Sequence, residues 1–336
     1  MKGVECRLRA FLILPLLLLA AACAPRLVDT GPAAQSPALY ETHFWTRDGI
    51  ALSYRRWLAE SMPPRAVIVA LHGFNDYSAF FDKPAAFLKK KGIASYAYDQ
   101  RGFGANGFRG RWFANDRLRM DALDFTRAVA AKHPGVPVYL LGESMGGAVA
   151  MTAATGPTPP AADGIILSAP AVWGRAAMSW YERLALWVAA HTFPGMTLTG
   201  RGLNITPSDN VEMLRALGRD PLVIKETRVE TIHGLVGLMD AALAAAPRFQ
   251  ARALVLYGRK DEIIPGRPTF DMVRRLPGLA AARQSFALYK DGYHMLLRDL
   301  QAETVWRDIL AWIGDAAAPL PSGADGEART VLAEKP

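Results

Sequence analysis

Ser144 stands in Gly142-Glu143-Ser144-Met145-Gly146, a serine with glycine two places to either side. The motif lies between an apolar run and a helical stretch of small residues. A serine on such a strand-to-helix turn is held in a strained backbone conformation that leaves its hydroxyl exposed. The glycines let strand and helix approach without side-chain clashes. A serine hydroxyl is a weak nucleophile until a neighbouring base takes its proton. Of six histidines, only His294, in Asp291-Gly292-Tyr293-His294, lies beyond the last expected strand. A loop there reaches the carboxyl edge of the sheet, where the serine stands. An acid must then hold the imidazole in the right tautomer and stabilise the imidazolium. Asp261, in Tyr257-Gly258-Arg259-Lys260-Asp261, follows the fifth expected strand and completes the order serine, acid, histidine. Glu262 is the adjacent alternative, and Asp291 sits too close to His294 in sequence. Acyl transfer also needs donors for the developing oxyanion. The Met145 N–H, just after the nucleophile, is one. The Phe74 N–H, in Leu71-His72-Gly73-Phe74, is the other, with Gly73 allowing the backbone to turn. His72 is read as a residue that orients this loop.

The elements that must position these groups are strands alternating with helices. Apolar runs at 65–73, 93–99, 136–142, 163–168, 252–258 and 284–290 read as six strands. Such runs suit strands buried on both faces of a parallel sheet. Helical spacing appears at 116–133, 145–155 and 299–313. The class is therefore α/β, with a mostly parallel central sheet flanked by helices. Residues 170–248 show no strand pattern and read as a helical insertion, a lid, with helices over Met178 to His191, 208–217 and 228–246. Trp180, Leu184 and Trp187 fall on one face of the first of these. That face either packs the lid onto the core or forms an apolar wall for an acyl chain.

The 336 residues are 51% apolar, 21% charged and 10% aromatic, which excludes disordered, collagenous and coiled-coil classes. The two cysteines, Cys6 and Cys23, exclude a disulfide scaffold. The net charge of +8 is scattered, without a dense basic block or nucleic-acid motif, so no nucleic-acid partner is expected. The histidines lack ligand spacing, and neither a metal nor an organic cofactor is implied. Lys2, Arg7 and Arg9 precede an apolar run, Phe11 to Ala22, of secretory rather than membrane-spanning length. Small residues before Cys23 resemble a bacterial lipobox, which implies removal of residues 1–22 and acylation of Cys23. Ala24, not Asp, after the cysteine implies the outer membrane; the other readings are periplasmic or secreted. Residues 23–40 read as a tether and 315–336 as a disordered tail, leaving a domain over 41–314.

LHGFNDYSAFF, YDQRGFGANG, LLGESMGGAVA, LYGRKDEIIP and KDGYHMLL occur in that order. Together they resemble the α/β-hydrolase fold over about residues 44–313. Within it they are similar to the monoacylglycerol lipase and lysophospholipase group, also grouped as serine aminopeptidase S33-like hydrolases. GESMGG is also similar to plant monoacylglycerol lipases and caffeoyl shikimate esterase. The resemblance implies Ser144 as nucleophile, Asp261 as acid, His294 as base, and Phe74 and Met145 at the oxyanion hole. Asp99, Arg101 and Gly102 match a block that braces the sheet edge. The expected activity is hydrolysis of single-chain lipid esters, monoacylglycerols or lysophospholipids, through an acyl-enzyme. The expected partners are that lipid substrate and a membrane reached through Cys23; oligomeric state is left open. The alternatives are a general carboxylesterase for small or aromatic acyl esters and, in another class, a non-catalytic binding protein on the same fold.

Overall fold

The computed structural model describes residues 25–333 apart from Arg26 and Arg201. The leader at 1–22 and Cys23 lie outside the described residues. The strands are β1 (Ala38–Leu39), β2 (His43–Trp45), β3 (Ala51–Trp57), β4 (Ala66–Leu71), β5 (Ile93–Tyr98), β6 (Val138–Glu143), β7 (Gly164–Ser168), β8 (Thr197–Thr199), β9 (Glu226–Arg228), β10 (Ala253–Gly258) and β11 (Gln284–Tyr289). The helices are α1 (Asp82–Lys89), α2 (Asn115–Lys132), α3 (Met145–Ala154), α4 (Trp180–Thr192), α5 (Val211–Arg219), α6 (Val229–Ala245), α7 (Gly266–Arg274), α8 (Ala302–Gly314) and α9 (Ala324–Ala333).

Nine strands form one sheet in the order β1-β2-β3-β5-β4-β6-β7-β10-β11. The six from β5 to β11 run parallel and are the six strands expected from the sequence. β4 shows why they were legible: all of Ala66–Leu71 is buried. Side chains alternate across a strand. Val67, Val69 and Leu71 pack into one layer with α2, α3 and α6. Ala66, Ile68 and Ala70 pack into the other, with α1 and α8. With both faces covered, apolar residues are required at every position.

Three findings correct the sequence reading. Residues 315–333 are not a disordered tail. They turn back so that α9 lies along β11, with Ala324 in one core layer and Ala328 in the other. Buried Asp308 fastens the turn, accepting from the Tyr289 hydroxyl at 2.8 Å and the Ser322 amide at 3.1 Å. An open edge strand would invite pairing with other chains, and α9 covers this one. Ala328→Asp should cost about 3 kcal/mol by burying a charge beside β11. A thermal melt with light scattering checks it, and an unchanged melting temperature would show that α9 is not part of the core.

The tether is also partly structured: β1 pairs antiparallel with β2, and the Val28 amide donates to Trp112 O at 2.9 Å. Finally, the 170–248 insertion carries a two-stranded antiparallel ribbon, β8 with β9, as well as its helices. Its last helix, α6, together with the turn that continues it to Arg248, is long and apolar enough to cross a membrane by composition, yet Leu238, Met239 and Ala242 bury it in the core beside α3. α4 is the reverse case. It buries just Ala190, and Trp180, Leu184 and Trp187 are 68%, 52% and 55% exposed. The face is therefore not packed on the core of this chain.

Candidate active site

Ser144 sits between β6 and α3 with φ 52° and ψ −113°, a conformation that L residues avoid. The crossing is tight. A Cβ at Gly142 would come within 2.3 Å of Gly146 O, and one at Gly146 within 2.2 Å of Leu71 O. The Ser144 amide donates to Ser168 O at 2.9 Å, and its carbonyl accepts from Ala148 at 3.1 Å and Ala171 at 2.9 Å. The strained turn is thus held on both sides.

Asp261 and His294 meet across the loops that follow β10 and β11. His294 Nδ1 lies 2.8 Å from Asp261 Oδ2, and both residues are buried. Asp261 Oδ1 accepts from the amides of Ile263 at 2.8 Å and Ile264 at 2.9 Å. An ionised acid so placed takes the Nδ1 proton in its hydrogen bond and leaves Nε2 as the basic nitrogen. The two loops are locked together by the Lys260 amide on Gly292 O, 2.9 Å away. Glu262 is not the partner: its carboxylate accepts from the Thr206 amide at 2.7 Å. Asp291 faces solvent, paired with Lys260 at 2.7 Å. Among the described residues the Ser144 hydroxyl makes no hydrogen bond to His294. Such contacts often close only around substrate.

The loop after β4 faces the same edge. His72 is buried with its Nε2 accepting from the Gln100 amide at 2.8 Å, so its Nδ1–H donates to Gly73 O at 2.7 Å. Burial pushes its pKa down, which keeps the ring neutral in this role. It orients the loop, as expected. Among the described residues neither the Phe74 nor the Met145 amide donates to a protein acceptor. Two unspent donors beside the serine are what an oxyanion requires. Asp99 and Arg101 brace this edge: Asp99 accepts from the Ser78 amide at 2.9 Å, and Arg101 forks onto Asp48 at 2.6 and 2.7 Å.

Sequence reasoning missed four residues here. Asn75, with φ 64°, accepts Ile224 N–H on its carbonyl at 2.9 Å and donates its side-chain amide to Thr227 at 2.6 Å, tying the loop to the insertion. Arg298 is buried and paired with Asp76 and Glu143, at 2.7 Å each. The one available signal was a lone arginine among Leu296, Leu297 and Leu300.

The sequence model of the family described as "Serine aminopeptidase, S33" matches residues 62–301. Monoglyceride lipase of Rattus norvegicus is 27% identical over 282 residues, covering 82% of this chain and 91% of its own. Monoacylglycerol lipase of Mycolicibacterium smegmatis is 27% identical over 279 residues, covering 79% and 93%. The crystal structure of the Paleococcus ferrophilus monoacylglycerol lipase superposes with a TM-score of 0.64 at 22% identity, over 79% of this chain and 99% of that one. That superposition bears on the fold.

Proposed function

Because the chain belongs to the serine aminopeptidase S33 family, we propose that it is a monoacylglycerol lipase working through an acyl-enzyme on Ser144. The observation that carries the reading is the meeting at one sheet edge of a strained serine, the Asp261–His294 pair at 2.8 Å and two unspent amides. Relatives named monoglyceride lipase over some four-fifths of this chain direct it to glycerol esters. Ser144 Oγ attacks the ester carbonyl as His294 Nε2 takes its proton. The carbonyl oxygen becomes the oxyanion between the Phe74 and Met145 amides. Its collapse breaks the ester C–O bond, and His294 returns the proton to the departing glycerol oxygen. Water, deprotonated by His294, then attacks the acyl-enzyme, and fatty acid leaves.

The peptidase chemistry in the family description needs a carboxylate for the substrate's free amine. The buried carboxylates beside the serine, Glu143 and Asp76, are both engaged by Arg298. This favours esters.

The reading extends to a membrane. Acyl chains on Cys23 contribute about 0.8 kcal/mol per buried CH₂, enough with two or three chains to hold the enzyme at a bacterial outer membrane. The exposed apolar face of α4, continued by Phe193, Met196 and Leu198, supports contact with the lipid from which substrate is drawn.

The test is fatty-acid release by purified residues 24–336 from monoacylglycerol, lysophosphatidylcholine and short aryl esters, with Ser144→Ala as control. Monoacylglycerol should be turned over fastest. Turnover of aryl esters alone would leave a general carboxylesterase. Replacing Trp180, Leu184 and Trp187 by serine should slow release from vesicle-borne monoacylglycerol about tenfold and spare a soluble aryl ester. Equal loss on both substrates would count against a membrane role for the face. In cells, labelled palmitate should enter the wild type and not Cys23→Ala.

A further inference from the structure

We infer that Arg298 is a positioning residue that holds the oxyanion loop, the nucleophile strand and the histidine loop in one register, an inference that rests on the reading just given. Three chain segments must meet to within tenths of an ångström for Ser144, His294 and the Phe74 amide to act on one carbonyl. Each brings one member of a buried charge cluster. Asp76 lies two residues after Phe74. Glu143 immediately precedes Ser144. Arg298 lies four residues after His294.

The arginine bridges the two acids with separate nitrogens: Nη1 is 2.7 Å from Asp76 Oδ2, and Nη2 is 2.7 Å from Glu143 Oε1. All three side chains are buried. Its carbon Cζ lies 5.9 Å from the Phe80 ring centre, in the turn that follows the oxyanion loop. Its backbone is fixed as well: the amide donates to Met295 O at 2.7 Å, and the carbonyl accepts from Asn210 Nδ2 at 2.9 Å. The cluster lies against the reacting serine. A Cβ placed on Gly73 would sit 3.5 Å from Ser144 Cβ and 3.6 Å from Glu143 Oε1. The loop that carries the Phe74 amide therefore rests directly on the nucleophile and on the acid that Arg298 holds.

Stability does not account for such a cluster. Desolvating three charges costs about as much as their pairing returns, and apolar packing of equal volume often serves as well. Burial pushes the Glu143 carboxyl upward, and the contact with Arg298 opposes that push. What the cluster supplies is geometry. A planar guanidinium with two separate donors fixes both acids in distance and angle, whereas an ammonium acts as a point charge.

Arg298→Lys, Arg298→Met and Glu143→Gln should be compared on a soluble aryl ester. The readouts are kcat, KM, melting temperature and affinity for an alkyl boronic acid, which adds to the serine and loads the oxyanion amides. Loss of one whole oxyanion donor costs about 10²–10³ in kcat, so a loosened loop in Arg298→Lys should cost about tenfold to a hundredfold. KM should stay within about twofold, because the acyl site is untouched, and boronate affinity should fall in step with kcat. Glu143→Gln keeps an acceptor for Nη2 and should retain more kcat than Arg298→Lys. Should Arg298→Met fail to fold, the other two variants still decide. Unchanged kcat and boronate affinity in Arg298→Lys, with or without a lower melting temperature, would overturn the inference. Failure of the underlying reading looks different: Ser144→Ala would then hydrolyse the ester as fast as wild type.

Discussion

Ser144→Ala is expected to lower kcat by about 10⁶-fold, since serine and base act as a unit and losing either removes nearly all of their joint effect. The fold should be indifferent. Ser144 is held through its amide and carbonyl, by Ser168, Ala148 and Ala171, and alanine keeps those bonds. The melting temperature of Ser144→Ala should stay within about a degree or two of wild type. Ser144→Gly makes the companion variant. At φ 52° and ψ −113° any side chain is strained, and that strain is of order 1–3 kcal/mol. Glycine relieves it but loses more chain entropy on folding. Ser144→Gly should therefore be as inactive as the alanine variant and melt higher than it. Activity assays with a phosphonate label, and calorimetry on both variants, check the two halves separately. Activity in Ser144→Ala within a hundredfold of wild type would remove the serine from the mechanism. A glycine variant that melts lower would mean that the turn holds no strain to release.

The parts of the fold that could be read are those whose burial repeats along the chain. Strands β4 to β7, β10 and β11 are covered on both faces, so each appears as a continuous apolar run. Strands β1 and β2 are short, and β2 and β3 mix buried Phe44 and Leu52 with exposed His43, Trp45, Arg55 and Arg56, which gives no apolar run to find. α9 was invisible for another reason. Its fully buried apolar contacts are the small residues Ala324 and Ala328, the larger Val331 and Leu332 reach the core just at its end, and glycine and proline precede it. In α4 the stripe was plain, but a period states only that one face is apolar, not what it meets. The site divides in the same way. Serine, acid and histidine each follow a strand end, so strand order places them. The bond from Arg298 to Glu143 joins residues 155 apart in sequence, and no local pattern encodes it.

Asp261→Asn should lower kcat by about 10⁴-fold, because the amide will force the wrong tautomer on the histidine. The orientation of that asparagine is dictated by its surroundings. At present Oδ1 accepts two amides, Ile263 at 2.8 Å and Ile264 at 2.9 Å, while Oδ2 faces His294 Nδ1 at 2.8 Å. An asparagine must turn its oxygen to the two amides, since an NH₂ there would leave two donors facing a donor. Its NH₂ then points at the imidazole and donates to Nδ1. The ring proton moves to Nε2, the nitrogen that must accept from Ser144. The hydrogen bonds survive in number, so the melting temperature should change little while labelling of Ser144 by a phosphonate slows with kcat. Glu262→Gln is the matched control. Its carboxylate accepts a single amide, that of Thr206, and kcat should stay within about twofold. Activity of Asp261→Asn within tenfold of wild type, or loss of activity in Glu262→Gln, would move the acid's role away from Asp261. Full activity in both variants would mean that His294 needs no carboxylate to hold its tautomer, and that the 2.8 Å contact between Asp261 and His294 serves the fold rather than the reaction.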